Sequence, residues 1–284
     1  MMERLKASCR SRLGLPPPWI RRHLAGRELV VRYGTIRDLP EPDEAWLLSL
    51  ALHSRIVVDV GANVGQAALI VLLADTAQEL VLVEPNAEAL ASAAENLLRN
   101  GLAGRVRFVC AAATDIRDSK VTLWTAGTMA AGSIYRAQAQ TASRLGRHFD
   151  VPTVTVDSLC RDYALDPDLV KVDVEGAEGR VLVGSVELAK RRRTRFLIEM
   201  HSNAELSMSV NMRHVLRWCE TLGYKAWLPT RAAVLTDTAP TEGCVRCWLL
   251  LQPSEWSYPD WLQGVTASTS LEAVWRGARS PRGR

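Results

Sequence analysis

The chain has 284 residues, of which 48% are hydrophobic, and its formal net charge is +4 at pH 7. This length and composition allow a full core and favour one α/β domain with extensions over two domains. The mild charge and the absence of a compact basic patch interleaved with aromatic residues argue against a nucleic-acid partner.

The ends of the chain predict extensions around one central domain. A basic N-terminal extension (1–27) precedes the domain (28–253), and a Trp-bearing C-terminal extension (254–284) follows it. Prolines from Pro16 interrupt the N-terminus, which predicts no secretory signal, and no transmembrane stretch follows. Six scattered cysteines, including a lone CxxC at Cys244 and Cys247, indicate reduced thiols and a cytoplasmic protein and make a poor zinc site.

The first predicted elements are a short strand or hairpin at 28–35 and a helix from Asp43 to His53. They lead into an apolar strand, Ile56 to Val60, whose β-branched residues are typical of the middle of a parallel sheet. We expect Gly61 to form a tight turn and Gly65 to allow close packing of the next helix, which begins around Asn63.

Asp59, just before this turn, indicates which cofactor the turn accepts. Dinucleotide sites place a pyrophosphate at such a helix N-terminus, where a carboxylate is unfavourable. S-Adenosylmethionine has no phosphate but carries an ammonium and a sulfonium, which a carboxylate attracts directly or through a water. The alternative is that Asp59 only caps the next helix.

The next strand, Glu79 to Glu84, ends in an acid 19 residues after Gly65. An acid at this offset of about 20 residues accepts hydrogen bonds from ribose hydroxyls, so Glu84 is a predicted cofactor ligand. Asn86 is predicted to cap the helix that follows and to line the same site. A third strand, Arg105 to Ala113, places Asp115 either near the adenine amino group or simply in a loop.

The remaining chain predicts four more strands of the main sheet, interrupted by an irregular region. Strands at Lys120 to Thr125 and Val151 to Val156 flank a small-residue segment, Ala126 to Tyr135, which is typical of a lid or substrate wall. Seven candidate sheet strands, the last two without a clear helix between them, predict a mostly parallel sheet with one antiparallel edge strand and helices on both faces. The seven are Ile56 to Val60, Glu79 to Glu84, Arg105 to Ala113, Asp168 to Asp173, Arg195 to His201, Tyr224 to Leu228 and Cys244 to Leu251.

Ionisable residues follow two of these strands. Asp173, Glu175 and Glu178 follow one strand, and Glu199 and His201 end the next, so we expect them to converge opposite the glycine turn. The alternative is that Asp173 and Glu175 cap the following helix and that His201 is a satisfied polar residue.

Four segments together resemble the FkbM-type methyltransferases over about Tyr33 to Leu251. They are Val58 to Gly65, Glu84 to Asn86, Thr155 to Leu159 and Lys171 to Glu178. The resemblance implies a Rossmann-like class I fold, S-adenosyl-L-methionine as cofactor, and O-methylation of a sugar, polyketide or related small molecule. Within these segments it implies that Asp59, Gly61, Asn63, Gly65, Glu84 and Asn86 bind the cofactor. Asp115 lies outside them and is a predicted cofactor residue from its place after the third strand.

The implied reaction requires a group that takes the acceptor's hydroxyl proton. Asp173, Glu175 and His201 are the candidates, and His201 has an ordinary pKa of about 6.5, near the working pH. We expect no metal; the alternative is a magnesium ion on Asp173, Glu175 and Glu199. Rival functions are methylation of nucleic acid or protein, and a cofactor-binding interaction module without catalysis.

The tail tryptophans Trp256, Trp261 and Trp275 have three alternative roles. They stack on a sugar, pack on the sheet edge or contact a partner subunit.

Overall fold

The computed structural model describes residues 3, 7, 10, 15–38, 41–127, 132–204, 206–266 and 268–279. Part of the expected lid, residues 128–131, lies outside the described residues, as do Cys9 and several arginines of the two basic ends. Within the described residues, no helix is both long enough and apolar enough to cross a lipid bilayer.

The described residues form thirteen strands and ten α-helices. The strands are β1 (Trp19–Leu24), β2 (Arg27–Arg32), β3 (Ile56–Val60), β4 (Glu79–Val83), β5 (Val106–Val109), β6 (Ala112–Ala113), β7 (Lys120–Trp124), β8 (His148–Val154), β9 (Leu169–Val172), β10 (Arg195–His201), β11 (Tyr224–Leu228), β12 (Ala233–Val234) and β13 (Arg246–Pro253). The helices are α1 (Pro42–Ala51), α2 (Gln66–Leu73), α3 (Ala87–Arg99), α4 (Gln140–Arg144), α5 (Val156–Asp162), α6 (Glu178–Val183), α7 (Val186–Lys190), α8 (Met208–Leu222), α9 (Asp260–Gln263) and α10 (Leu271–Arg279).

The main sheet confirms the predicted α/β fold of the class I, Rossmann-like type. Its strand order is β12-β11-β13-β10-β9-β3-β4-β5, and β10, β9, β3, β4 and β5 are parallel. The sheet has eight strands rather than seven. The reversed strand β13 is not at the edge, because it pairs antiparallel with both β10 and β11 and lies between them.

Each central strand contributes residues to two cores, one on each face of the sheet. In β3, Val57 joins the core under α1, α2, α3 and α10, whereas Val58 and Val60 join the core under α5 to α8. This alternation follows from the pleat, which turns successive side chains to opposite faces. Helices therefore cover both faces, as predicted.

The two predicted extensions pack on one of these cores. The hairpin β1–β2 contributes Ile20 and Val31, and the tail contributes Leu262 and Trp275. Trp46 of α1 donates its indole N–H to the carbonyl oxygen of Val265 at 3.1 Å. Trp261 stacks on His53, with ring centroids 3.9 Å apart. Of the three roles considered for the tail tryptophans, the contacts of Trp261 and Trp275 are those of packing.

Two elements differ from the sequence prediction in ways that matter for the site. The third strand ends at Val109, because the chain then leaves the main sheet and Ala112–Ala113 pairs with β8 in a separate three-stranded sheet. The helix predicted from Gly179 to Lys190 is divided into α6 and α7. The division falls at Gly184, where a Cβ atom would lie 2.1 Å from the carbonyl oxygen of Thr114.

Candidate active site

The turn after β3 is held by close backbone contacts. Gly61 has φ +84°, and a Cβ atom there would lie 1.8 Å from the carbonyl oxygen of Asp173, so only glycine fits. Gly65 has φ +89° and contacts Ala93 of α3, which brings α2 close to α3 as predicted. The helix begins at Gln66, three residues later than Asn63. The turn thus brings the ends of β3 and β9 together.

Glu84 at the end of β4 connects this turn to the start of α3. One carboxylate oxygen accepts the backbone N–H of Asn63 and the other accepts that of Asn86, each at 2.9 Å. Asn86 in turn caps α3 by accepting the N–H of Glu88 at 3.1 Å. Burial raises the pKa of Glu84 to about 7 even though the two amides favour its charged form.

Asp59 forms a buried ion pair with Lys171. The Lys171 Nζ atom lies 3.2 Å from Asp59 Oδ1 and 3.6 Å from Asp173 Oδ2. Asp59 is fully buried, and burial raises its pKa while Lys171 opposes the rise. Lys171 lines the cavity described below, whereas Asp59 is not among its lining residues. The predicted attraction of the cofactor to Asp59, directly or through a water, stays a prediction.

The segment after β9 adopts an unusual backbone conformation. Glu175 has φ +55° although it is not glycine, and its carbonyl oxygen accepts the hydroxyl of Ser133 at 2.7 Å. Its side chain accepts the Gln138 amide N–H at 2.9 Å. Left-handed backbone at a non-glycine residue is strained, so these contacts hold Glu175 in place.

His201 at the end of β10 lies among carboxylates. Its Nδ1 atom is 2.9 Å from Glu178 Oε1, and its Nε2 atom is 3.6 Å from Glu175 and 3.8 Å from Glu199. Burial disfavours the charged ring of His201 and lowers its pKa. The hydrogen bond and charge of Glu178, followed by the charge of Glu175, outweigh burial and raise the pKa of His201 to about 9. The predicted convergence of these residues is therefore present.

Among the acids near His201, Glu199 is more buried than Asp173 and Glu175, and Glu178 is more buried still. Burial, followed by the charge of Asp173, raises the pKa of Glu199 to about 8. Arg246 Nε lies 3.0 Å from its Oε1 atom. Among the described residues, one ligand atom each from Asp173, Glu199 and His201 lies within 4.8 Å of the others, a spacing that suits a metal ion.

A cavity of about 370 Å³ lies at this end of the sheet. Its walls come from the turn, the end of β4, the segment after β9, the start of α1 and the three-stranded sheet. Among its lining residues are Gly61, Asn63, Glu84, Asn86, Lys171, Asp173, Glu175, Arg37, Asp43, Glu44, Ala113, Leu123 and Ile134.

Asp115 lies elsewhere. Its carboxylate pairs with Arg180 Nε at 2.6 Å, and it lines a second cavity of about 290 Å³ on the other side of Gly176. Because β5 ends at Val109, Asp115 follows a strand of the small sheet rather than a strand of the main sheet. Its predicted adenine contact remains untested.

Three kinds of residue at this site were not predicted from the sequence. The sequence marks Lys171 as unusual, because it is a charged residue inside an apolar strand. In the structure it stands opposite Asp59 in the β3–β9 register. Asp43 and Glu44 lie in a helix that was predicted, but nothing in the sequence indicated that its first turn faces the cavity. Ser133 and Gln138 come from the irregular region, whose course no periodic pattern predicts.

The sequence matches the model of the methyltransferase FkbM domain over residues 59–226. This chain belongs to the FkbM methyltransferase family. The resemblance deduced from the motifs is thereby confirmed, and S-adenosyl-L-methionine is the cofactor of this methyltransferase class. Comparison with curated proteins finds no match.

Three similar solved structures come from different organisms. Methyltransferase FkbM from Methylobacillus flagellatus has 15% identity and a TM-score of 0.46, and the match covers 70% of this chain but only 43% of that one. The SAM-dependent methyltransferase from Agrobacterium tumefaciens has 12% identity, a TM-score of 0.45, and coverage of 84% and 70%. TYW2 of M. jannaschii, in complex with AdoMet, has 12% identity, a TM-score of 0.43, and coverage of 83% and 84%. The family assignment rests on the sequence model and not on these likenesses.

The cavity of this chain has polar groups that suit S-adenosylmethionine. Glu84 offers remaining lone pairs to hydroxyl donors, and the buried Asn63 Oδ1 atom has no hydrogen-bond partner in the protein. Asp43 and Glu44 offer carboxylates and Arg37 a cation, which matches a ligand with separate ammonium and carboxylate groups. The cavity's donors and acceptors therefore fit this cofactor.

Proposed function

We propose that this protein uses S-adenosylmethionine to methylate a hydroxyl oxygen of a small molecule, such as a sugar or a polyketide. One observation carries the proposal. The glycine turn, Glu84 and the Asp173 to Glu175 segment line the same cavity at the carboxyl ends of parallel strands, where ligands of open α/β sheets bind. The acceptor class comes from the family resemblance.

In this proposal the turn and the acid at the end of β4 hold the nucleoside part of the cofactor. Glu84 accepts the ribose hydroxyls while it keeps the amides of Asn63 and Asn86, so the turn and the binding site form one unit. Arg37, Asp43 and Glu44 line the same cavity and hold the amino-acid part.

When bound, the cofactor supplies a methyl group activated by a sulfonium. Transfer of this methyl group would form a C–O bond to the acceptor and break the C–S bond, whose electron pair would stay on sulfur, and the hydroxyl proton would have to pass to the protein. Of the three predicted bases, Asp173 and Glu175 line the cavity, whereas His201 lies behind them. Lys171 lies 3.6 Å from Asp173 and keeps its charge. We therefore assign the proton to Glu175, which accepts the Gln138 amide N–H and lies 3.6 Å from the titratable ring of His201.

Cofactor identity is tested by calorimetry. We expect S-adenosylmethionine and S-adenosylhomocysteine to bind the purified protein and NAD not to bind. Preferential NAD binding would contradict the proposal. A panel of sugars, hydroxylated polyketides, oligonucleotides and peptides, followed by S-adenosylhomocysteine release, then identifies the acceptor class.

The base assignment is tested with the acceptor so found. Glu175→Gln should lower turnover about 100-fold or more, because loss of a general base typically costs 10²–10⁴. Its affinity for S-adenosylhomocysteine should change little. His201→Ala and Asp173→Ala, which remove the other predicted bases, are measured alongside, and full turnover in Glu175→Gln would return the role to one of them.

A further inference from the structure

The three residues Asp173, Glu199 and His201, here termed the carboxylate–histidine cluster, lie beside the proposed proton acceptor. One oxygen of each acid and one ring nitrogen lie within 4.8 Å of one another. Ligands at about 2.1 Å from an octahedral ion are about 3 Å apart when adjacent and about 4.2 Å when opposite. Small side-chain rotations therefore bring all three into coordination distance.

Glu178 orients the histidine of this cluster. Its Oε1 atom is 2.9 Å from His201 Nδ1 and also accepts the N–H of Gly176 at 2.9 Å. Nε2 is then the ring nitrogen that faces Glu199 and Glu175. A carboxylate that holds the far nitrogen of a ligating histidine is the usual support of a metal site, because it fixes the tautomer and the ring orientation.

Glu199 supplies an independent indication of a missing ligand. The residue is 2% exposed, and its buried Oε1 atom has no hydrogen bond in the protein. Arg246 Nε lies 3.0 Å from that atom but without hydrogen-bond geometry, and Arg246 is also shared with Glu41. A buried carboxylate oxygen without a hydrogen bond is costly unless a ligand satisfies it.

The charges of the linked ion pairs indicate that this ligand is a cation. Five carboxyl groups surround three side chains that can carry a positive charge, so oxygen acceptors outnumber cations here. The carboxylates are Asp59, Asp173, Glu175, Glu178 and Glu199, and the cations are Lys171, His201 and Arg246. A divalent cation would supply positive charge here when His201, as a neutral ligand, gives up the proton of its Nε2 atom.

We propose that Asp173, Glu199 and His201 Nε2 bind one divalent transition-metal ion. A mixed set of two carboxylates and one imidazole suits first-row ions such as Mn²⁺ and leaves coordination positions open. The ion's role rests on the proposed function: an acceptor hydroxyl in an open position would be polarised and would lose its proton more easily to Glu175. The cluster thus replaces the predicted set of Asp173, Glu175 and Glu199 for magnesium.

The test uses the full chain after removal of metal with a chelator, with Mn²⁺ alone as the probe. Electron paramagnetic resonance counts bound Mn²⁺, and we expect one equivalent to bind. Electron spin-echo modulation should show coupling to a ¹⁴N nucleus, which only a nitrogen ligand gives. Absence of saturable binding, or one bound ion without ¹⁴N coupling, would overturn the proposal.

Variants separate coordination from general electrostatic attraction. Glu199→Gln and His201→Ala should weaken Mn²⁺ binding at least 10-fold, and His201→Ala should abolish the ¹⁴N coupling. Glu178→Gln should weaken binding 10- to 100-fold, as outer ligand-orienting groups do. Glu187→Gln, which removes a surface acid paired with Lys190, is the matched control and should bind as wild type does.

Thermal melts show which variants fold, and Glu199→Gln is nearly isosteric, so it remains informative if His201→Ala unfolds. A folded Glu199→Gln protein with wild-type Mn²⁺ affinity would refute the site. Calorimetry measures S-adenosylmethionine binding to the same samples, and this result is interpreted independently of Mn²⁺ binding. Protein that binds S-adenosylmethionine but not Mn²⁺ refutes only the metal, and protein that binds Mn²⁺ but not S-adenosylmethionine refutes only the proposed function.

Discussion

Glu84 shows how one residue serves both the fold and the site. Its two oxygens hold the amides of Asn63 and Asn86, and both of these residues line the cavity. The spacing from Gly65 predicted an acid at this position, because a strand-helix-strand unit fixes the offset. The spacing did not predict the amide contacts, since these depend on how the turn folds back towards β4.

We expect Glu84→Ala to weaken S-adenosylmethionine binding by about 2–4 kcal/mol, since it removes two charge-assisted hydrogen bonds. Calorimetry measures the change. Glu79→Ala, at the other end of the same strand and paired with Arg107, is the control and should bind as wild type does. Wild-type affinity in Glu84→Ala would show that this acid does not hold the ribose.

At the scale of elements, the central strands β3 and β9 are joined by a charged pair as well as by hydrogen bonds. Asp59 and Lys171 stand opposite each other in the parallel register, and both are buried. Both strands were predicted from their apolar runs, but their adjacency was not, because strand order depends on how the helices cross the sheet. The buried ion pair therefore became visible only in the fold.

Lys171→Met should destabilise the protein by about 3–5 kcal/mol, because it leaves the Asp59 charge buried without its partner. Urea unfolding measures this change. The double variant Asp59→Leu with Lys171→Met should lose less than the sum of the two single variants. Strict additivity would mean that the two residues do not stabilise each other.

Helix α1 holds Glu44 in a buried position, where the charged form of its carboxyl group is unfavourable. Burial, followed by the charge of Asp43, raises the pKa of Glu44 to about 7. The folded protein thus holds a proton that the unfolded chain releases near pH 4.5, so this acid favours folding below about pH 4.5 and loses that effect as pH rises through 7.

The melting temperature of the ligand-free protein should therefore fall by a few degrees between about pH 4.5 and 7 because of this residue. Glu44→Gln, which cannot ionise, should reduce that fall, as differential scanning calorimetry at a series of pH values can show. An identical pH profile in the variant would assign the effect to other acids.

At the scale of the whole molecule, both ends of the chain complete the core on the α1 side of the sheet. Trp275 is 9% exposed and packs near Gly26 of the N-terminal hairpin. The sequence predicted the central sheet well, because buried strands and glycine turns are local patterns. It did not predict that residues at opposite ends meet, because a short amphipathic helix does not specify its partner.

Trp275→Ala should lower the free energy of unfolding by about 3–5 kcal/mol, as loss of a large buried aromatic side chain does. Denaturant titration measures it. The variant should bind S-adenosylmethionine normally at temperatures where it is folded, since Trp275 is not among the residues that line the cavity. Loss of cofactor or acceptor affinity without loss of stability would instead indicate a binding role for the tail.

The hydrogen bond from Trp46 to Val265 spans 219 residues of sequence. A ribosome that adds 5–20 residues per second makes the second partner about 10–45 s after the first. Throughout that interval the apolar face of α1 has no C-terminal helix to cover it. The sheet can begin to assemble during synthesis, but this side of the core closes only after Val265 has been made.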